Sequence, residues 1–397
     1  MVRKKAAAGG VMPPGEPPGR ADLPSAGVSP VDVPQELAPV RPGEQLDWTA
    51  LEAWLRPRLA QLLPSMAGPL DVLQFPNGSA NLTYLLRLGD AELVLRRPPM
   101  GQIAPGAHDM KREYKVLSRL WRHFDRAPRA YLFCDDHTVL GADFFLMERR
   151  RGEVVRATLP PSMRAHRDVA RRIAFALVDA MADLHALDPT TCDLGDLGKP
   201  EGFIERQVSG WAKRWELSKF DDSPAMMDEL HQQLVRGMPS MSRVSIVHND
   251  LKLDNCQFDP ANPDRVAAIF DWDMTTLGDP LIDLGTLLNY WPDPVDPEHA
   301  QRASNPGLAQ MGLPTRAELT ARYAARRGVD PAAVRWWEAF ALWKTVVVVQ
   351  QLHRRWVRGE STDPRMATIA DRIPSLMAAA RTMLEETARP ASAPGRE

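Results

Sequence analysis

The hydrophobic pattern changes once, and for good, at about Gly152. Before it, apolar residues come in short runs of strand period: Leu82 to Leu88 and Ala91 to Arg96, parted by the turn pair Gly89-Asp90, then Phe144 to Glu148. After it the period is helical. Asp168 to Leu187 carries Ile173, Leu177, Met181 and Leu184 on one face, and Gly202 to Phe220 and Ala332 to Arg358 read the same way. Two helices precede the change, Trp48 to Leu63 and Lys111 to Phe124. Short strands, Val244 to Val247 and Val266 to Phe270, interrupt the helices beyond it, and Thr315 to Glu318 is a capping box opening another. This pattern predicts an α+β chain of two lobes, a small antiparallel sheet followed by a larger, mainly helical part. The 397 residues, 44% hydrophobic, exceed what one compact core holds. The expected divisions are a disordered Pro/Gly/Ala-rich tail over 1–44, a sheet lobe over 45–150, a helical lobe over 151–385 and a flexible tail over 386–397.

Charge excludes whole classes of partner. With 49 basic and 51 acidic residues the net charge is −2, so no global field draws the chain to nucleic acid or an anionic membrane. No apolar run reaches the ~18 residues of a membrane span. The densest, Trp336 to Val349, is broken by Glu338 and Lys344. Cys134, Cys192 and Cys256 are widely spaced and odd in number, which predicts reduced thiols and a cytoplasmic setting. The basic N-terminus lacks the apolar stretch of a secretory signal.

The chemistry concentrates in His248-Asn249-Asp250-Leu251-Lys252-Leu253-Asp254-Asn255, directly after a strand. An aspartate here can take the proton of an attacking hydroxyl. An amide oxygen five residues on can hold a metal bridging phosphates, and Lys252 can neutralise charge on a phosphoryl group in flight. His248 is placed to brace the loop. Some 20 residues later the apolar strand Val266 to Phe270 ends in Asp271-Trp272-Asp273, a carboxylate positioned to complete a magnesium site with Asn255. Asp273 is a supporting candidate.

These residues form the pattern of kinase catalytic loops. Together with Leu277-Gly278-Asp279-Pro280 and Asp283-Leu284, they resemble the active-site block of the aminoglycoside phosphotransferase family. Within it the chain is most similar to the kinase domain at the N-terminus of certain acyl-CoA dehydrogenases, through Ser79 to Leu85, Val94 to Pro99, Ala107-His108, Arg112 to Tyr114, Asp183 to His185, and Glu205 to Gln207 with Trp211. The resemblance implies a protein-kinase-like fold, Mg²⁺ and ATP as cofactors, Asp250 as the base, and Asn255 and Asp271 as metal ligands. Asn77, Gly78, Ser79 and Asn81 would approach the phosphates. Arg96, on one strand face with Val94, would grip them, and Glu148 to Arg151 would form the hinge beside adenine. Two positions depart from the family's habit: Asn249 stands where glycine is usual, and Ala80 interrupts the nucleotide loop.

Several residues keep two readings. Glu113 either holds Arg96 or pairs on the surface with Lys111 or Arg112 neighbours. Asp279 reads as an N-cap before Pro280, Asp283 as a buried carboxylate bonded to loop amides, and His185 as a satisfied core histidine. Trp336, Trp337 and Trp343 read as core, although with Trp356 they also suit an acceptor surface. For function, the resemblance suggests a kinase of hydroxy acids or hydroxyacyl-CoA esters. The alternatives are an antibiotic phosphotransferase, whose polycationic acceptors would be repelled by the ten Lys/Arg against four Asp/Glu between Gln301 and Glu360, and a pseudokinase, which requires a missing base or ligand.

Overall fold

The computed structural model describes residues 36–62, 68–76, 81–101, 108–303, 306–361 and 363–388. Helix α1 (Trp48–Leu62) is followed by β1 (Leu70–Gln74), β2 (Leu82–Leu88), β3 (Ala91–Arg97), α2 (Met110–Leu120), β4 (Ala130–Cys134), the single turn α3 (His137–Leu140) and β5 (Phe144–Glu148). The strands form one antiparallel five-stranded sheet in the order β1-β2-β3-β5-β4. Gly89 at φ 61 turns the β2–β3 hairpin. Period-two alternation then sorts the side chains. Tyr84, Leu86, Leu93 and Leu95 pack under Leu51, Leu55 and Leu59 of α1 on the outer face. Leu85, Val94, Phe145 and Met147 join α2 and the main core on the inner face. Arg96 therefore points inward with Val94.

The sequence assigned 1–44 to a disordered tail; residues 1–35 lie outside the described residues, whereas 36–44 are ordered against the sheet lobe. Ala38 exchanges both backbone hydrogen bonds with Gln74 on the sheet's edge, Leu37 is buried, and the Glu44 carbonyl accepts from the Tyr84 hydroxyl at 2.8 Å. At the other end α11 (below) continues to Ala388, past the expected 385.

The helical lobe runs through α4 (Val169–Ala186), α5 (Phe203–Ser218), α6 (Met226–Arg236), β6 (Ser245–Val247), β7 (Cys256–Asp259), β8 (Asn262–Ile269), β9 (Thr276–Gly278), α7 (Leu281–Tyr290), α8 (Pro297–Arg302), α9 (Arg316–Arg327), α10 (Arg335–Val357) and α11 (Ile373–Ala388). α10 starts three residues later than the periodicity predicts, because Pro331–Val334 forms a 3-10 turn before it. β6 pairs with β9 and β7 with β8, both antiparallel. These two ribbons frame the loop 248–255. At the lobe junction Glu153 bridges Phe258, and a Cβ on Gly152 would meet the Phe258 carbonyl at 2.8 Å, so only glycine passes there. A second close approach lies deeper: a Cβ on Gly285 would sit 2.7 Å from the Trp337 backbone, which lets α7 cross α10 in near contact. That crossing seats the start of α7 beneath the loop.

Candidate active site

The loop is held from below by one carboxylate. Asp283, in the first turn of α7 and wholly buried, accepts from the backbone N–H groups of His248 at 2.7 Å and Asn249 at 2.6 Å. Its Oδ2 also meets His185 Nε2 at 3.0 Å, and His185 Nδ1 meets the Tyr323 hydroxyl at 2.7 Å. Burial pushes the Asp283 carboxyl up, yet the contacts from His185 and His248 outweigh it and hold the group below the usual carboxylate range. The helix N-terminus favours the same charge. His185 is thus a satisfied core histidine. Asp279 accepts from Leu281 N–H at 2.9 Å and also from Ser242 N–H, with α7 starting just after Pro280.

Inside the loop, His248 Nε2 donates to the Phe270 carbonyl at 2.9 Å, its ring packs on Trp272, and Nδ1 accepts from Asp250 N–H at 3.3 Å. The loop is thereby pinned to the strand end that carries Asp271. Asn249 takes φ 67, a left-handed conformation that glycine adopts freely and asparagine tolerates best among the others. Its side chain donates to the Met274 carbonyl at 2.8 Å, a tie that glycine cannot make.

Asp250 faces the junction of the lobes. Its Oδ2 accepts from Lys252 Nζ at 2.8 Å and from Asn255 Nδ2 at 3.1 Å, and Asn255 Nδ2 also donates to the Asp250 carbonyl at 2.8 Å. The amide oxygen of Asn255 is the atom left to meet a cation. Burial opposes the charge on Lys252, but Asp250 and Tyr290 outweigh it and raise its pKa. A hydrogen bond of 2.8 Å from Phe270 N–H to the Asn255 carbonyl sets Asn255 beside Asp271, which itself sits at φ 70.

From the sheet lobe, Arg96 Nε donates to Glu113 Oε2 at 2.8 Å while its terminal nitrogen donates to Asp271. Glu113 therefore pairs with Arg96, and Oε1 reaches Trp272 N–H at 3.3 Å across the lobes. Burial drives the Glu113 carboxyl up to about 7 against the pull of Arg96. Asp271 is lowered, since Arg96 outweighs its burial, and Asp273 is pushed up to about 6 by burial and the Asp271 charge.

A cleft of about 320 Å³ runs between the lobes, lined by Asn81, Val94, Arg96, Lys252, Asn255 and Asp271 among others. Both polar atoms of the Asn81 side chain are buried without a partner among the described residues. Such an amide marks a place where something polar binds. Met147, Arg149 and Arg150 line the cleft, whereas the Glu148 carboxylate is engaged by Arg129 N–H at 3.0 Å and Arg150 Nε at 2.9 Å. Asn77, Gly78 and Ser79 lie outside the described residues.

Two expectations about the acceptor surface need correction. Trp336, Trp337 and Trp343 are core: the indole of Trp336 donates to the Leu234 carbonyl at 3.2 Å and that of Trp343 to Met227 at 3.3 Å. Much of the arginine surplus is spent on structural ion pairs. Arg316 serves Asp293, Asp296 and Glu338, while Arg322 and Arg326 pair with Asp179 and Asp183 of α4. A count within one sequence window cannot register carboxylates from another. Sequence reasoning noted Lys344 only as a charge breaking the apolar run Trp336 to Val349, and it passed over Arg355, which stood in the basic count with nothing in the local pattern to set it apart.

An antiparallel five-stranded lobe over a helical lobe, with this loop at their junction, is the protein-kinase-like fold. The chain belongs to the phosphotransferase enzyme family (APH), whose sequence profile matches residues 71–337. It is 32% identical to acyl-CoA dehydrogenase family member 11 of Rattus norvegicus over 341 residues, 84% of this chain and 42% of that protein. It is 30% identical to family member 10 of Mus musculus, covering 82% of this chain and 30% of that one. The chain spans about two fifths or less of the length of these relatives. Among solved structures, a Ralstonia eutropha protein described provisionally as an aminoglycoside phosphotransferase superposes with TM-score 0.70 at 29% identity, over 86% of this chain and 99% of its own. The aminoglycoside phosphotransferase APH(4)-Ia, solved with AMP-PNP and hygromycin B, shares the fold at TM-score 0.53 and 16% identity, over 86% of this chain and 99% of its own.

Proposed function

We propose that the protein transfers the γ-phosphoryl group of Mg-ATP to a hydroxyl of a hydroxy acid or its CoA thioester. The observation that carries this reading is the meeting of Lys252, Asn255, Asp271 and Arg96 at one cleft, with Asp250 bonded to the first two. Asp250 would accept the hydroxyl proton as the oxygen attacks, and Lys252, already on Asp250, would turn to the oxygens of the phosphoryl group. Arg96 and Asn81 would hold the phosphates, with the backbone of the 147–150 segment beside the base. No cluster of three His, Cys, Asp or Glu able to hold a metal occurs among the described residues. The donors on offer are the Asp271 carboxylate and the Asn255 amide oxygen, a set of hard oxygens that suits Mg²⁺, which keeps water and phosphate oxygens as its other ligands. Bound there, magnesium would neutralise charge on the phosphates.

Similarity to acyl-CoA dehydrogenase relatives supports the acyl acceptor. A pseudokinase reading requires a missing base or metal ligand, and Asp250, Asn255 and Asp271 are all present in the sequence. The described residues include no helix long and apolar enough to cross a membrane, and the three buried, unpaired cysteines suit a cytoplasmic setting. The test is a phosphate-release and mass-spectrometric screen with Mg-ATP across hydroxy acids, hydroxyacyl-CoA esters, sugars and aminoglycosides. Turnover of aminoglycosides with an inert acyl panel would overturn the acceptor, and failure to bind Mg-ATP would overturn the reading itself.

A further inference from the structure

Helices α5 and α10 pack side by side beyond the loop, and their shared edge carries basic groups at both ends. At its inner end Lys344 is buried, its Nζ 3.4 Å from the Asn249 carbonyl and 5.3 Å from the Trp211 ring centre. Arg214 stacks on the same ring at 4.4 Å. At the outer end lies a cavity of about 190 Å³ walled by Leu217, Ser218, Gln351, Arg354, Arg355, Arg358 and the single carboxylate Glu360.

The arginines there are not alike. Arg354 is structural, donating to the Lys219 carbonyl at 2.8 Å and lying over Phe220. Among the described residues the Arg358 side chain has only Glu360, at 3.9 Å and half exposed. Arg355 is exposed and has no hydrogen-bond or carboxylate partner among the described residues. A cation at the end of a helix is favoured by the helix dipole, which accounts for one arginine and not for a walled cavity around a free one.

His108 supplies a separate observation. It is held at φ 57, and its Nδ1 is buried without a partner among the described residues. Burial lowers its pKa, and it feels the charges of Asp271, Arg96 and Arg355. His108 therefore lies within the field of Arg355 as well as that of the Arg96–Asp271 pair.

We infer that this cavity receives an anionic group at the far end of the phosphoryl acceptor, with Arg355 as its main ligand and Arg358 beside it. The inference rests on the phosphotransfer reading and adds a length to it. Eleven residues of α10 separate Lys344, under the loop, from Arg355, which at 1.5 Å per residue is about 16 Å. An acceptor with its hydroxyl at Asp250 and an anion at Arg355 would run along this length of α10, further than a four-carbon hydroxy acid extends. The anion can be a carboxylate on a long chain or a phosphate on a carrier.

Calorimetric titration decides, using 12-hydroxydodecanoate, 3-hydroxybutyrate and adenosine 3′,5′-bisphosphate as probes on the wild-type chain, Arg355→Glu, Arg355→Lys and the double Arg355→Glu/Arg358→Glu. Melting temperature and Mg-ATP titration on each variant report an intact fold and cleft. The expected result is that the long hydroxy acid or the bisphosphate binds at least tenfold more weakly to Arg355→Glu and is partly restored in Arg355→Lys, with 3-hydroxybutyrate indifferent. Which probe responds names the source of the anion. The assignment is overturned if neither long probe binds the wild type, or if the double variant leaves their dissociation constants within twofold. Arg355-dependent binding without phosphoryl transfer would keep the cavity and retire the kinase reading. Transfer to a long acceptor with a KM indifferent to Arg355 would do the reverse.

Discussion

Arg96, on the third strand of the sheet lobe, donates directly to Asp271 at the strand end of the helical lobe, 175 residues away in sequence. One guanidinium thus spans the cleft and holds the proposed metal ligand while Glu113 holds the guanidinium from behind. Burial works against the Arg96 charge, but Glu113 and Asp271 outweigh it and raise its pKa, so the cation stays in place.

Asp271→Ala is expected to abolish the metal dependence of nucleotide binding, since the remaining oxygen donor, Asn255, is neutral. Titrating ATP with and without Mg²⁺ measures this. Equal Mg-ATP affinity in variant and wild type would remove Asp271 from the metal site.

Asp250→Asn keeps the shape of the loop and removes the proton acceptor. Turnover of any accepted hydroxyl substrate should fall by roughly 10²- to 10⁴-fold, with Mg-ATP affinity nearly unchanged. Single-turnover kinetics beside nucleotide titration separates the two quantities, and a loss confined to nucleotide affinity would contradict the role.

His299 gives a pH signature remote from the site. Burial, with Arg316 nearby, lowers its pKa to about 4, and Nε2 bonds the Leu288 carbonyl at 2.9 Å. The unfolded chain takes up this proton below its ordinary pKa of about 6.5, while the folded chain refuses it until about 4. Stability from this group is therefore complete above about pH 6.5 and is lost as pH falls toward 4, by up to about 3 kcal/mol. Urea melts of wild type and His299→Gln at pH 7.5 and 5 should show the variant losing less between them. Parallel losses would mean the imidazole is solvated.

Deleting residues through Glu44 removes Leu37 from the core, the Ala38–Gln74 pair and the acceptor of the Tyr84 hydroxyl. Destabilisation of about 2 kcal/mol is expected from the leucine alone. An unchanged melting temperature would show that this edge contributes nothing.

Much of the site was legible because its chemistry is local. Loop residues 248–255 fix their own spacing, and alternation on β3 was enough to put Arg96 inward. What escaped was non-local. Ala38 meets Gln74 through a single bridge that leaves no alternating pattern behind. Arg322 and Arg326 of α9 find their acids on α4, so a charge count read as an acceptor surface what is in part a helix–helix interface. Asn249 lay between: its residue type was visible as a departure, but its bond to Met274 depends on how the 271–275 turn folds back.

The helix crossing at Gly285 gives the active site a calibration point that no reactant touches. Asp283 sits two residues upstream on the same helix, and the height of the catalytic loop is the height of that carboxylate. A methyl group at 285 would wedge α7 from α10 and lift or tilt the platform under Asp250. A screen that scores only folding would file Gly285 with the packing residues, whereas the lesion would surface in the rate. For this chain, variation deep in the hydrophobic interior is a route to altered turnover as direct as variation in the cleft.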